Sequence, residues 1–211
     1  MLKIILAVKI FAIMSLMQKL SAQDIVGEYY VKGNHEMVAA FKFDADSSFE
    51  FYFVYGAVDR TAKGTYTVNG KNILLKSDKP PGHDFTVTNE KISGQGSTVK
   101  FSDKNQYLQK SIACVFIKGK QEDVVYSDAK GIAHSSLSEC DSIIAVHMLF
   151  PDAPTAIKSS SANKNNYFEA TLNPSLAAVS FKDFVLTTKD DSLVGSLPSL
   201  FESEQSVFVK K

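Results

Sequence analysis

The sequence predicts an all-β protein made of two small antiparallel β domains, the first a partial or open barrel and the second a β sandwich. Three observations carry that expectation. From Asp24 onward, apolar and polar residues alternate with period two, the spacing of side chains on one face of a strand. Turn residues punctuate those runs at the roughly 8–12-residue intervals of strand-rich folds. No run after residue 24 has the apolar spacing of an amphipathic helix. With 45% hydrophobic residues, 15 Phe and 8 Tyr but no Trp, the chain has enough apolar mass for packed cores.

The first 23 residues read differently. Lys3 and Lys9 precede a short apolar run, Ile10 to Met17, and Ser21, Ala22 and Gln23 follow it. Basic, apolar and small residues in that order form a secretory signal peptide, with cleavage expected after Gln23. The run is shorter than the ~20 apolar residues of a bilayer span. No later run reaches that length either, so no membrane span is expected after processing. The expected location is the periplasm or the exterior of a bacterial cell. Processing also moves the charge. The whole chain balances 23 basic against 23 acidic residues; the leader holds Lys3, Lys9 and Lys19 and no acid, which leaves 20 against 23. A mildly acidic chain with Arg60 as its single arginine is poorly matched to nucleic acid.

The first domain is expected over residues 24–103. Ile25 to Lys32 opens it, closed by Gly33-Asn34, and Met37 to Phe43 follows, closed by Asp44 to Ser48. Phe49 to Tyr55 is the third strand. Ala62 to Val68 and Asn72 to Lys76 flank Asn69-Gly70, a type I′ hairpin signal because both central residues of that turn need positive φ. Asp78-Lys79-Pro80-Pro81-Gly82 stops the fifth strand, and Phe85 to Thr88 and Thr98 to Phe101 are weaker strands. The polar residues 102–110 read as a linker. The second domain is expected over residues 104–211. Its strands are Ile112 to Ile117, Asp123 to Tyr126, Gly131 to Ser135, a long one from Ser142 to Phe150 stopped by Pro151, and Tyr167 to Leu172. Ala177 to Phe181, Phe184 to Thr188, Ser192 to Val194 and Ser206 to Val209 complete the series, with a helical turn near Ser199 to Glu204.

The third strand holds the main candidate site. Phe49, Phe51, Phe53 and Tyr55 share one of its faces. Such a stripe is either packed core or the lining of a cavity for one small apolar ligand. Asp59 and Arg60, in the loop expected to follow, are the polar candidates for the mouth of that cavity. The competing readings are a solvated pair, or Arg60 held by a distant carboxylate for structure.

Catalytic chemistry is not expected. There is no Gly-x-Ser-x-Gly elbow, phosphate loop or dinucleotide fingerprint. No close His pair or Cys-x-x-Cys offers a metal site, so no metal and no cofactor are expected. Cys114 and Cys140 either pair in a disulfide closing residues 114–140 or are kept apart by strand geometry. A thiol–imidazole pair of either cysteine with His134 or His147, and with it a hydrolase, is the weaker alternative. His83-Asp84 reads as a turn rather than an acid–base pair, Asp44 to Ser48 as a hairpin rather than a calcium loop, and Lys189-Asp190-Asp191 as a turn.

Two resemblances add to this reading. Val26-Gly27-Glu28-Tyr29-Tyr30, Ala40-Phe41-Lys42-Phe43-Asp44, the strand from Phe49 to Tyr55, Gly56 to Arg60 and Lys63-Gly64-Thr65-Tyr66 resemble secreted bacterial lipocalin-like modules. The likeness covers about 80 residues of the mature chain and lacks the usual tryptophan of the first strand. It implies a partial barrel that binds a small apolar molecule or an envelope component. Cys114 to Ile117 and Val125 to Ala133, with Ser127-Asp128-Ala129-Lys130-Gly131 as the turn, resemble the start of a carboxypeptidase-regulatory-like β sandwich. Neither resemblance implies an enzyme. The function expected is therefore a non-catalytic exported binding protein, its partner a small apolar ligand or an envelope protein; the alternative is a structural or interaction module of the envelope.

Overall fold

The computed structural model describes residues 22–33, 37–56, 58–196 and 205–211. Residues 1–21 of the expected signal peptide, His35 and the helical turn expected near Ser199 to Glu204 lie outside them. A single helical turn, α1 (Ala22–Ile25), leads into β1 (Gly27–Val31), β2 (Met37–Phe43), β3 (Ser48–Tyr55), β4 (Val58–Asn69) and β5 (Asn72–Ser77). Then come β6 (Phe85–Lys91), β7 (Ser97–Ser102), the helical turn α2 (Gln106–Gln109), β8 (Ile112–Lys118), β9 (Gln121–Tyr126) and β10 (Ile132–Ser135). The chain ends with β11 (Ser142–His147), β12 (Phe150–Lys158), β13 (Tyr167–Leu172), β14 (Phe184–Lys189), β15 (Ser192–Gly195) and β16 (Ser206–Lys210).

These strands form an eight-stranded closed barrel, in the order β1-β16-β15-β14-β5-β4-β3-β2, and two four-stranded sheets, β10-β7-β13-β6 and β12-β11-β8-β9. The all-β class and the combination of barrel with sandwich hold. Two details differ from the expectation. The barrel is closed, because β16 pairs with β1 through Tyr30↔Val209. The chain is also not split at residue 103: β6 and β7 lie in a sandwich sheet, and β14 to β16 complete the barrel. The barrel is a meander interrupted once, since β5 pairs directly with β14 (Leu75↔Phe184) although residues 85–172 intervene. Alternation reports only which face of a strand is buried, and a barrel strand and a sandwich strand look alike on that measure.

Local chemistry explains the smaller differences. The β4–β5 hairpin turns at Gly70-Lys71, with Asn69 opposite Asn72, and the positive φ falls on Gly70 alone, the pattern of a type II′ rather than a type I′ turn. The expected long strand from Ser142 is a hairpin of β11 and β12 instead. Pro151 and Pro154 sit inside β12, which a sheet-edge strand tolerates because one side of its backbone needs no partner. Ala177 to Phe181 is a connector, not a strand, with one parallel bridge from Ala178 to Thr61. The sandwich also contains one parallel pair, β7 with β13. Asp44 to Ser48 and Asp190-Asp191 are hairpin turns as expected.

Each unit has its own core. In the barrel, Tyr29, Phe41, Phe43, Phe49, Phe51, Phe53, Tyr66 and Phe208 point inward, joined by Phe181 of the connector. In the sandwich, Phe101, Phe168 and Val99 of one sheet meet Ile112, Cys114, Phe116 and Ile143 of the other. Among the described residues no helix is long and apolar enough to cross a membrane.

Candidate functional site

The aromatic stripe of β3 resolves into core. Phe49, Phe51 and Phe53 are buried, while Glu50, Tyr52 and Val54 face outward. The barrel interior around them is occupied by rings at contact distance. Phe41 lies 4.6 Å from Phe51 and 5.0 Å from Phe208, and Phe181 lies 5.3 Å from Phe51 and 4.9 Å from Phe184 (ring centroids). These are edge-to-face and tilted contacts of the kind that aromatic cores favour. Tyr55, expected on the same face, is 49% exposed. It is the last residue of β3, where the inward-facing alternation ends.

Asp59 and Arg60 are not loop residues. β4 starts at Val58, so they stand opposite Val54 and Phe53. Asp59 is exposed on the outer wall and Arg60 points inward, with 1% of its surface accessible. Its guanidinium is held by three neighbouring groups. Nη2 pairs with Asp152 of β12, Nε donates to the carbonyl of Ala177 at 2.8 Å, and the group lies 5.1 Å over the Phe150 ring. The single arginine of the chain thus ties barrel wall, sandwich edge and connector together.

A second buried cation repeats the device. Lys79 follows β5, and its Nζ lies 2.6 Å from Asp84 Oδ1. The same ammonium donates to the carbonyls of Leu176 at 3.1 Å and Ala178 at 2.7 Å. Asp84 is anchored in turn, its N–H donating to Thr155 Oγ1 at 3.0 Å. His83, its neighbour, offers only its backbone carbonyl, to Asn173. Buried charges persist where they are paired and hydrogen-bonded, and here both cations hold the carbonyls of residues 176–178. In the sequence Lys79 and Asp84 read only as turn residues, and Asp152 gave no signal of its own. The available signals were the prolines beside them, Pro80-Pro81 and Pro151, which mark where strands leave or join a sheet edge.

The seam creates a groove. After Ser77, β5 leaves the barrel wall and the connector takes its place beside β4, where Val179 N–H donates to Thr61 O at 2.8 Å. One bridge fills less space than a strand. The remaining groove, about 540 Å³, is mostly apolar, with Phe51, Ala62, Pro80, Ala178 and Val179 in its lining and Glu50, Tyr52, Thr61 and Lys63 from the outer barrel wall. Of the six residues proposed from sequence as ligand contacts, Phe51 alone lines it. No family model, curated protein or solved structure matches the chain.

The cysteine and histidine candidates do not assemble. Both cysteines are free and buried. The β8–β11 register places Ala145 opposite Cys114 and Ser142 opposite Ile117. Cys140 therefore lies beyond Ile117, about 10 Å or more along the strand at ~3.4 Å per residue, while a disulfide needs Cα atoms roughly 4.4–6.8 Å apart. Burial pushes the Cys114 thiol up to about 12, which leaves it protonated and unreactive. His147 is buried on the same face of β11 as Ala145, and both its ring nitrogens are occupied. Nε2 is 3.0 Å from Leu108 O and Nδ1 accepts from Leu149 N–H at 3.2 Å. This assigns the neutral tautomer protonated on Nε2, and burial holds the imidazole below its usual pKa. His134 is exposed and bonded to Thr98. No group of three metal-ligating side chains occurs among the described residues.

Proposed function

We propose that this chain is an exported, non-catalytic binding protein of the bacterial envelope, lipocalin-like in its barrel, that takes a small apolar ligand on the outside of the barrel rather than within it. The groove beside β3 and β4 carries the reading. Its volume, about 540 Å³, falls in the ~300–1,000 Å³ range of small-molecule sites, and an apolar floor with a few polar side chains at the rim is their usual composition. The interior site of a typical calyx is disfavoured here because aromatic side chains occupy that volume. A meander barrel whose last strand returns to the first supports the lipocalin-like description.

The test is a titration of the purified protein with an apolar fluorescent probe such as N-phenyl-1-naphthylamine, with native mass spectrometry of the protein taken directly from its host. Saturable binding that falls at least about tenfold in Thr61→Trp, an outward-facing substitution that fills the groove, is the expected result. An empty protein with no saturable probe binding would sink the ligand reading. The second reading, an envelope interaction module, rests on exposed Val38 and Val54, cross-strand neighbours on the outer wall of β2 and β3. An unchanged titration in Thr61→Trp, with an envelope protein recovered on the wild type but not on Val54→Lys, would favour it.

A further inference from the structure

Register orders the outer wall of the barrel into rows of different chemistry. Glu28, Lys42, Glu50 and Lys63 stand side by side across β1 to β4, alternating in charge. Asp78 continues that row beyond β4, its N–H donating to the Lys63 carbonyl at 2.8 Å. The row beside it, Tyr30, Ala40, Tyr52 and Thr61, carries no charge. The Tyr30 and Tyr52 rings meet edge to face at 6.4 Å and flank Ala40, which is 2% exposed although it points away from the barrel core. The groove of about 540 Å³ lies where both rows reach the connector. Glu50, Lys63 and Asp78 line it from the first row, Tyr52 and Thr61 from the second.

We infer that this groove takes an uncharged amphiphile, with an apolar body and a hydroxyl or carbonyl group, and turns away anionic ones such as fatty acids. The inference rests on the groove being the ligand site. Lys79 also lines it, but its ammonium is committed to Asp84 and to the carbonyls of Leu176 and Ala178. The other cation in the lining is Lys63, which stands opposite Glu50 and beside Asp78. A carboxylate or phosphate head would therefore meet Lys63 only together with two acids, and like charges at close range repel it. An ammonium head would find carboxylates that are exposed to water, and exposed ion pairs contribute little. A head of either charge would give up its water without a buried partner. A hydroxyl or carbonyl group gives up less, and the hydroxyls of Thr61 and Ser175 are there to receive it. Specificity of this kind comes as much from what repels the wrong ligand as from what attracts the right one. Glu50 and Asp78 are the residues that supply the repulsion.

Displacement of bound N-phenyl-1-naphthylamine from the purified full chain at neutral pH tests this, with decanol, decanoate and decylamine as competitors that share one alkyl chain. Decanol is expected to compete at a concentration at least about tenfold below decanoate, and no higher than decylamine. The alkyl chain's own hydrophobicity cancels when each variant is compared with the wild type. In Glu50→Gln/Asp78→Asn the gap between decanol and decanoate should narrow at least about threefold, the scale of exposed charge interactions. In Lys63→Met the preference should move the other way, toward decylamine. All three side chains are exposed, so both variants should melt with the wild type. Decanoate competing as well as decanol, decylamine competing better, or ratios that neither variant changes would overturn the inference while leaving the groove as a ligand site. A probe that does not bind the wild type at all would remove the site and the inference together.

Discussion

Arg60 shows most clearly what a single residue does here. As the single inward-pointing arginine of β4, it is stable in the protein interior because Asp152, the Ala177 carbonyl and the Phe150 ring receive it. Removing one partner leaves the other charge buried and uncompensated, which typically costs about 3–5 kcal/mol. Arg60→Met and Asp152→Leu are each expected to destabilise by that order in equilibrium urea unfolding, and the double variant by clearly less than either single. Additive losses would mean that the two groups act independently. His147 gives a residue-scale prediction in pH. Its folded pKa lies below 6.5, chiefly because burial disfavours the imidazolium. The unfolded chain therefore binds the extra proton first. The stability contributed by neutral His147 is complete above pH 6.5 and is lost as pH falls from there toward the lowered folded value. Melting temperatures measured between pH 7 and pH 5.5 should decline in the wild type and decline less steeply in His147→Gln. Equal slopes would exclude His147 as the source.

At the scale of elements, alternation and turn chemistry made most strands legible. Phe49 to Tyr55 alternates buried and exposed, as read, until its last residue. Ser127-Asp128-Ala129-Lys130-Gly131 is a turn for physical reasons visible in sequence. Asp128 accepts the N–H groups of Lys130 and Ile132, and Gly131 has φ +75° with the Phe101 carbonyl oxygen 2.4 Å from where a Cβ would stand. The connector was not legible. Ala177 to Phe181 reads as a strand because Leu176, Val179 and Phe181 are apolar, yet they are buried by capping two cores rather than by joining a ladder. The candidate site was hidden for the same reason, since the groove exists only where that connector stands in for β5. Phe181 is predicted to be the anchor. Its N–H donates to Ser77 Oγ at 2.7 Å and its carbonyl accepts from Ser77 N–H at 3.0 Å. Phe181→Ala removes a ring from the barrel core, which usually costs about 3–5 kcal/mol. It should also weaken probe binding in the groove. A loss under about 1 kcal/mol would show that the connector only rests on the barrel.

For the whole molecule, pairing across the gap in the chain is decisive. Leu75 lies opposite Phe184 where the barrel is interrupted, and Phe85 lies opposite Leu172 where the sandwich begins and ends. Both interruptions therefore occur at paired strands whose ends are neighbours, the arrangement in which one domain is inserted into another. Sequence position obscures this, because the polar stretch 102–110 that looks like a linker runs between the two sheets of one sandwich. The two divisions make opposite predictions for fragments. Residues 24–103 contain five barrel strands and two sandwich strands, so neither core can close. That fragment should be unfolded by circular dichroism and by amide dispersion in NMR. Residues 84–173 contain both sandwich sheets with their ends paired, and should fold cooperatively. They would be less stable than in the full chain, since Asp84 loses Lys79 and Asp152 loses Arg60; Asp152→Leu should recover part of that loss. A folded 24–103 fragment beside an unfolded 84–173 fragment would reverse the assignment and restore a division near residue 103.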